Sequence, residues 1–239
     1  MESSATRFAA GLLEEKVAAR LREAGASEAS LAAATRAMLH ASLVGVDSHG
    51  VRLTEHYCNM LDGGRLNKAP QLKVDIRAAS SAMVHGDDGM GHYAAYKAVE
   101  VGIELAQKAG VGAVGIDHSS HLGAAGAYAL AGVATLFSAL LTGTTLDADF
   151  IPMYGGPGGD ISTPRNMGHF VLVIDPDKFV GRAMFGAMIT RYLASLRAAP
   201  VRPGAERVMA PGDREWDEMA RRQQDGVPVD PDTVRFLGL

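Results

Sequence analysis

Two short segments carry residue types suited to chemistry. The first is Asp47-Ser48-His49-Gly50, followed closely by Arg52. A histidine set between two helices and beside a glycine can present its ring to a cleft. Imidazole is the side chain best matched to proton transfer near neutral pH. A nearby arginine can grip a carboxylate through two parallel hydrogen bonds. The bland alternative is a helix cap, with Asp47 or Ser48 capping the next helix and His49 exposed.

The second segment is His118-Ser119-Ser120-His121-Leu122-Gly123, just after a short apolar run. In α/β sheets, ligands sit beyond the carboxyl ends of strands, so His121 is well placed. The small residues that follow, Gly123-Ala124-Ala125-Gly126, would let a backbone or ligand approach closely. A tight strand-to-helix connection with solvated histidines would account for the same residues. His118 and His121, with Asp117 adjacent, also raise metal binding. Their spacing is not the i,i+4 pair of a helical zinc site, and no third ligand is evident in sequence, so no metal is expected.

Other motifs carry less. Gly110-Val111-Gly112-Ala113-Val114-Gly115 matches GxGxxG. A dinucleotide fingerprint must follow a strand and open a helix, whereas this one follows a helix and forms the strand itself. There is no P-loop, and Ser119 and Ser120 lack the G-x-S-x-G context of a hydrolase elbow. His169 opens a strand and reads best as a hydrogen-bonded strand-end histidine. Pro211-Gly212-Asp213 precedes a charged helix and reads as turn and cap, although a helix N-terminus can also receive a phosphate.

These residues need elements to position them. Apolar spacing predicts helices over 8–24, from the Ser27 cap to about 44, and over 51–61. Alternation at Leu72, Val74 and Ile76, then at Ala82 and Val84, predicts two strands, with a turn over 86–89. A helix over 92–109, with Tyr96, Val99, Ile103 and Ala106 in line, stops at Gly110, and 111–116 reads as a buried strand. Helix followed by buried strand indicates an α/β layer. Beyond it come a helical stretch over 124–141, expected to be continuous, and an irregular region over 147–165. A strand over 170–174, a helix over 184–196 and a short strand over 207–209 follow. Asp213 can cap a charged helix to 225, closed by Gly226.

Bulk properties exclude several classes. A hydrophobic fraction of 47% against 21% charged residues supplies a real core. The net charge of −4 and the lack of a Lys/Arg stripe argue against nucleic acid. The longest apolar runs are broken by Gly, Thr or Asp, so no membrane span is expected. Cys58 is the one cysteine, which rules out an internal disulfide and a cysteine zinc cluster. With no signal-peptide pattern at the first residues, the expected setting is cytoplasmic.

Together the motifs resemble the malate/L-lactate dehydrogenase family. Gly45-Val46-Asp47-Ser48-His49-Gly50-Val51-Arg52-Leu53, with Tyr57 and Gly63-Gly64-Arg65-Leu66-Asn67, is similar to its N-terminal signature. Gly86-Asp87-Asp88-Gly89-Met90-Gly91-His92 resembles its glycine-rich turn, and Ser120-His121-Leu122-Gly123-Ala124-Ala125-Gly126-Ala127-Tyr128 its central histidine segment. Gly168-His169-Phe170, Asp175-Pro176, Phe179, Arg207-Val208 and Pro211-Gly212-Asp213 resemble its C-terminal region. The resemblance covers about 8–130 and 136–229. Between them roughly a hundred residues of the family's pattern are absent, a stretch that by resemblance supplies much of the cofactor pocket.

The resemblance implies a non-Rossmann α/β fold. A helical dimerisation region would take 1–75 and 176–239, and a remnant of the NAD(P)-binding domain 76–175. It implies hydride transfer between NAD or NADP and a small 2-hydroxy or 2-oxo acid, in a homodimer. His49 or His121 would move the proton, and Arg52 and Ser48 would hold the carboxylate substrate. Pro211, Gly212 and Asp213 would contribute to the cofactor site. Many relatives carry the arginine one position later, where this chain has Leu53, so substrate preference does not carry over. Two rivals remain open: a non-catalytic remnant that keeps the dimer surface, and a histidine-based metal hydrolase.

Overall fold

The computed structural model describes residues 6–124, 142, 144, 161–164, 166–201, 204 and 206–239. The chain is α/β, as expected. It opens with strand β1 (Thr6–Phe8), then helices α1 (Ala10–Glu23) and α2 (Glu28–Leu43). Two turns of 3-10 helix, Asp47–His49 and Val51–Leu53, lead into α3 (Thr54–Asp62). The sheet region comprises β2 (Lys73–Ala78), β3 (Ser81–His85), α4 (Gly91–Ala109), β4 (Val111–Ser119) and β5 (Met167–Ile174). The C-terminal part holds α5 (Arg182–Arg197), α6 (Asp213–Asp225), β6 (Val227–Val229) and α7 (Pro231–Leu237).

Leu13, Val17 and Leu21 lie on one face of α1, as the four-residue spacing predicts, and all three are buried. Ser27 caps α2, accepting a hydrogen bond from the Ser30 backbone at 3.3 Å. These faces pack with Tyr57, Met60 and Leu61 of α3. Val227, Val229 and Leu237 from the far end of the chain complete the same core. Phe8, placed by periodicity in the first helix, belongs instead to β1, which pairs antiparallel with β6. Both strands are three residues long, too short for alternation to register.

The second core lies between α4 and a four-stranded sheet of order β2-β3-β4-β5. The β3–α4–β4 unit makes β3 and β4 parallel, and the outer pairs are antiparallel. A parallel pair needs such a crossover, and here the helix packs over it. The buried face of α4 runs through Ala94, Ala98, Val101, Leu105 and Ala106. Val99 and Ile103, expected on that face, are partly exposed. Gly110 ends α4 in the left-handed conformation, and Gly112 and Gly115 sit inside β4, so the GxGxxG match is a helix stop followed by a strand.

The strand expected over 207–209 does not form; those residues are irregular. Arg207 is drawn into an ion pair with Asp217 of α6, which takes the segment along the helix rather than along a strand edge. The continuous helix expected over 124–141 lies almost wholly outside the described residues, as does most of the irregular region over 147–165. Among the described residues, no helix is long and apolar enough to cross a membrane.

Candidate active site

The Asp47-Ser48-His49-Gly50 segment is not a cap for α3. Asp47 is turned to Arg222 of α6, and Ser48 Oγ lies 2.9 Å from His49 Nδ1. The turn is held against α2 by Ser42, whose hydroxyl accepts the Val51 backbone N–H at 2.9 Å. A Cβ at Gly50 would come within 2.0 Å of Ser42 Oγ, so this close approach requires glycine.

The structure brings the two predicted histidines together. His49 and His121 have ring centroids 5.3 Å apart, at an interplanar angle of 36°. His121 Nδ1 lies 2.7 Å from the hydroxyl of Tyr57 on α3. When Tyr57 donates, a neutral His121 carries its proton on Nε2. Tyr57 is buried and stacks over His121 at 6.3 Å, while its ring meets His92 edge-on at 5.0 Å. The grouping therefore joins the helical core, through Tyr57, to the sheet end, through His121.

The Ser120–His121 backbone is docked on the amino end of α4. Ser120 Oγ accepts the Gly91 N–H at 2.9 Å, and His169 of β5 donates from Nε2 to the Ser120 carbonyl at 2.9 Å. This agrees with the reading of His169 as a hydrogen-bonded strand-end residue. A Cβ at Gly91 would lie 2.1 Å from that carbonyl oxygen, so only glycine permits the docking. His92, next in the helix, is buried, and neither ring nitrogen has a hydrogen-bond partner among the described residues. Burial, with the added charges of His121 and His169, pushes its imidazole down to about 3. Burial likewise lowers His169. Both rings are neutral at pH 7, so the ring that meets Tyr57 edge-on, His92, brings no charge to the Tyr57–His121 pair.

Arg222 was not singled out from sequence and proves central to the geometry. Its guanidinium is buried, donates to the Ser42 carbonyl at 2.6 Å and to Asp47 through two nitrogens, and also pairs with Glu218. Helix α6 thereby sets the turn that carries His49. No local pattern announces this, because α6 is charged throughout and only the contact across the chain distinguishes Arg222. A cavity of about 620 Å³ lies between Val44–Ser48 and Arg214, Glu215, Glu218 and Arg222 of α6.

The other predicted residues are not grouped with the histidines. Arg52 is exposed and lines a separate cavity of about 210 Å³ with Ser42, Asp47, Val51 and residues 228–230. Pro211 and Gly212 precede α6, and Asp213 is its first residue rather than its cap. Asp213 is bound by Arg197 at 2.6 and 2.9 Å and accepts the Ala210 N–H at 2.9 Å. Arg197 first, and that backbone bond second, hold its carboxyl at about 2. A second arginine, Arg65, is buried beside His121 and Tyr57 in a small cleft that also includes His56 and Ser120.

Comparison with known proteins follows these boundaries. The family model for malate/L-lactate dehydrogenase matches residues 8–134 and 127–238. The two segments overlap at 127–134, where the sequence resemblance jumps across the missing stretch. The chain is 39% identical to the malate dehydrogenase of Pyrococcus abyssi over 93 residues, 39% of this chain and 26% of that protein. It is 30% identical to the ureidoglycolate dehydrogenase (NAD(+)) of Escherichia coli over 112 residues, 47% of this chain and 32% of that protein. The chain thus matches about a quarter to a third of the length of these curated relatives. The solved malate dehydrogenase of Pyrococcus horikoshii OT3 superposes with a TM-score of 0.89 at 18% identity, spanning 99% of this chain and 95% of that one. With both matched segments together spanning nearly the whole chain, this protein belongs to the malate/L-lactate dehydrogenase family.

Proposed function

We propose that the chain is an oxidoreductase that interconverts a small 2-hydroxy acid and its 2-oxo acid, with a nicotinamide dinucleotide as hydride partner. The observation that carries this reading is the Tyr57–His121–His49 grouping. A histidine hydrogen-bonded through Nδ1 to a buried tyrosine and packed beside a second histidine suits proton exchange with a substrate oxygen. Family membership supports the reaction class.

Two features of the described residues support a dinucleotide site. The cavity between Ser48 and α6 falls within the usual size for a small-molecule site, and Arg214 at the amino end of α6 is placed to meet a phosphate. Arg214, with the Pro211–Gly212–Asp213 turn behind it, would hold the nucleotide, which when bound supplies the hydride. The chain's own contribution is orientation and the proton. His121 moves the proton at the substrate oxygen, with His49 as its neighbour. Arg52 and Ser48 would hold the carboxylate, as the family pattern implies, which requires the exposed Arg52 side chain to swing from its separate cavity toward His49. Whether NAD or NADP is preferred follows from groups that meet the ribose.

We also propose a homodimer, with the helices of 1–75 and 176–239 forming the dimerising region and 76–175 the cofactor region. α5 supports this: none of its residues is buried, yet it carries Met184, Phe185, Met188, Ile189 and Tyr192. The cytoplasm is the setting we assign, since the buried Cys58 thiol and the redox cofactor both suit a reducing compartment. Calorimetry with NADH and with NADPH tests the reading. Saturable heat with at least one supports it, whereas no heat at millimolar cofactor leaves a structural remnant of the family as the alternative.

A further inference from the structure

His118 and His121, considered together in sequence, fall into different groupings. His121 faces Tyr57, whereas His118 turns to Asp117, and a third ligand comes from β3. His85 Nδ1 lies 2.6 Å from Asp117 Oδ1, and His118 Nδ1 lies 3.3 Å from the same oxygen. One ligand atom from each of the three residues lies within 4.8 Å of the others. We propose that His85, Asp117 and His118 form a binding site for a zinc-class divalent cation.

The fold explains the convergence. His85 ends β3 and is in register with Asp117 on the parallel strand β4, so both project at the carboxyl end of the parallel pair. The β4–β5 register shifts between Ile116 and Ser119, and this irregularity redirects His118. The Asn166 side chain accepts the His118 backbone N–H at 2.8 Å and holds the distorted strand in place. The sheet thus supplies two ligands and the bulge the third.

The surroundings of His85 provide an independent argument. Its Nε2 lies 3.3 Å from Asp75 Oδ2, while Nδ1 meets Asp117. An imidazolium donates to both carboxylates; a ring that donates Nε2–H to Asp75 instead faces the Asp117 oxygen with its Nδ1 lone pair, and a cation placed between them satisfies both atoms. A carboxylate that accepts the outer N–H of a metal-bound histidine is a recurrent second layer in zinc sites. Asp75 is itself held by Lys73 and Arg77, which fixes its position.

Two imidazoles and one carboxylate suit zinc, with a fourth position left for water. Tetrahedral zinc separates neighbouring ligand atoms by about 3.4 Å. The His118–Asp117 distance already fits, and the His85–Asp117 distance must open by less than about 1 Å, a small side-chain rotation. His118 is 58% exposed, so the ion has an entry path and the open position faces solvent. The resulting site ties the end of β3 to the end of β4, on the strands that lead to the Gly86 turn and to His121.

The test uses the full chain stripped with a chelator, then titrated with Zn²⁺ by calorimetry and with Co²⁺ by visible absorption. The expected result is stoichiometric binding, tetrahedral Co²⁺ bands and a rise in Tm with Zn²⁺. His118→Gln, at an exposed side chain, should fold normally and lose the Co²⁺ bands and the Tm rise. His85→Gln should do the same, and His40→Gln should leave both intact. Absence of binding in the unaltered chain, or binding and Tm shifts that persist in His118→Gln and His85→Gln, overturns the site.

Discussion

His121 Nδ1 and the Tyr57 hydroxyl meet at 2.7 Å, joining a loop at the end of β4 to a helix in the other core. If this contact orients His121 for the proposed proton transfer, Tyr57→Phe should lower kcat by roughly 10-fold with little change in KM. His121→Asn should cost roughly 10²- to 10⁴-fold, the range of a lost general acid–base group. Steady-state kinetics distinguish them. Equal activity in Tyr57→Phe and the unaltered enzyme would remove Tyr57 from the mechanism.

His92 gives a stability prediction with a definite sign. Its folded value of about 3 lies below the ordinary 6.5 because burial opposes the charge. Between those values the unfolded chain binds a proton that the folded chain does not. Stability therefore falls as pH drops from about 6.5 toward 3, by a few kcal/mol in total from this ring. Urea unfolding across this range should show a shallower loss in His92→Phe than in the unaltered chain. Parallel pH profiles would show that His92 is solvated in the folded protein.

Arg222 and Asp47 should be coupled. Arg222 is buried and Asp47 half-exposed, so Arg222→Ala removes the two bonds to Asp47, together with those to Glu218 and the Ser42 carbonyl, and leaves a carboxylate that water can partly recover. The expected loss is roughly 2 kcal/mol, with a coupling of about 1 kcal/mol or more to Asp47→Ala in a double-mutant cycle. The same substitution should impair turnover, since the turn bearing His49 loses its anchor. Additive effects on stability would show that the pair contributes no mutual energy.

The exposed apolar side of α5 predicts association. Met188 is 58% exposed at its centre, and Met188→Glu would place a charge inside any interface there. Light scattering should report a dimer for the unaltered chain and a shift toward monomer for the variant. A unaltered chain that is monomeric at every concentration would exclude the proposed dimer.

Much of this was legible in sequence where local pattern carries the information. The spacing of Leu13, Val17 and Leu21, the Ser27 cap and the Gly110 stop each specify a local conformation, and each forms. The pair His49 and His121 was legible as two candidates, each beside a glycine-bearing turn. Their meeting was not, because it depends on Tyr57 and on Gly91 admitting the Ser120 carbonyl. Residues whose role is a contact across the chain left no local trace. Arg222 looks like any charge on α6, and β1 with β6 is too short to alternate. His85 lies in an ordinary strand until register sets it beside Asp117.

The most direct measurement is NAD(P)H-dependent reduction of 2-oxo acids by the purified chain, followed through the loss of nicotinamide absorbance. Turnover of at least one small 2-oxo acid with NADH or NADPH is expected, with its loss in His121→Asn under the same conditions. A folded chain that oxidises neither cofactor with any of a panel of such acids, or whose turnover is unchanged in His121→Asn, would contradict the proposed function.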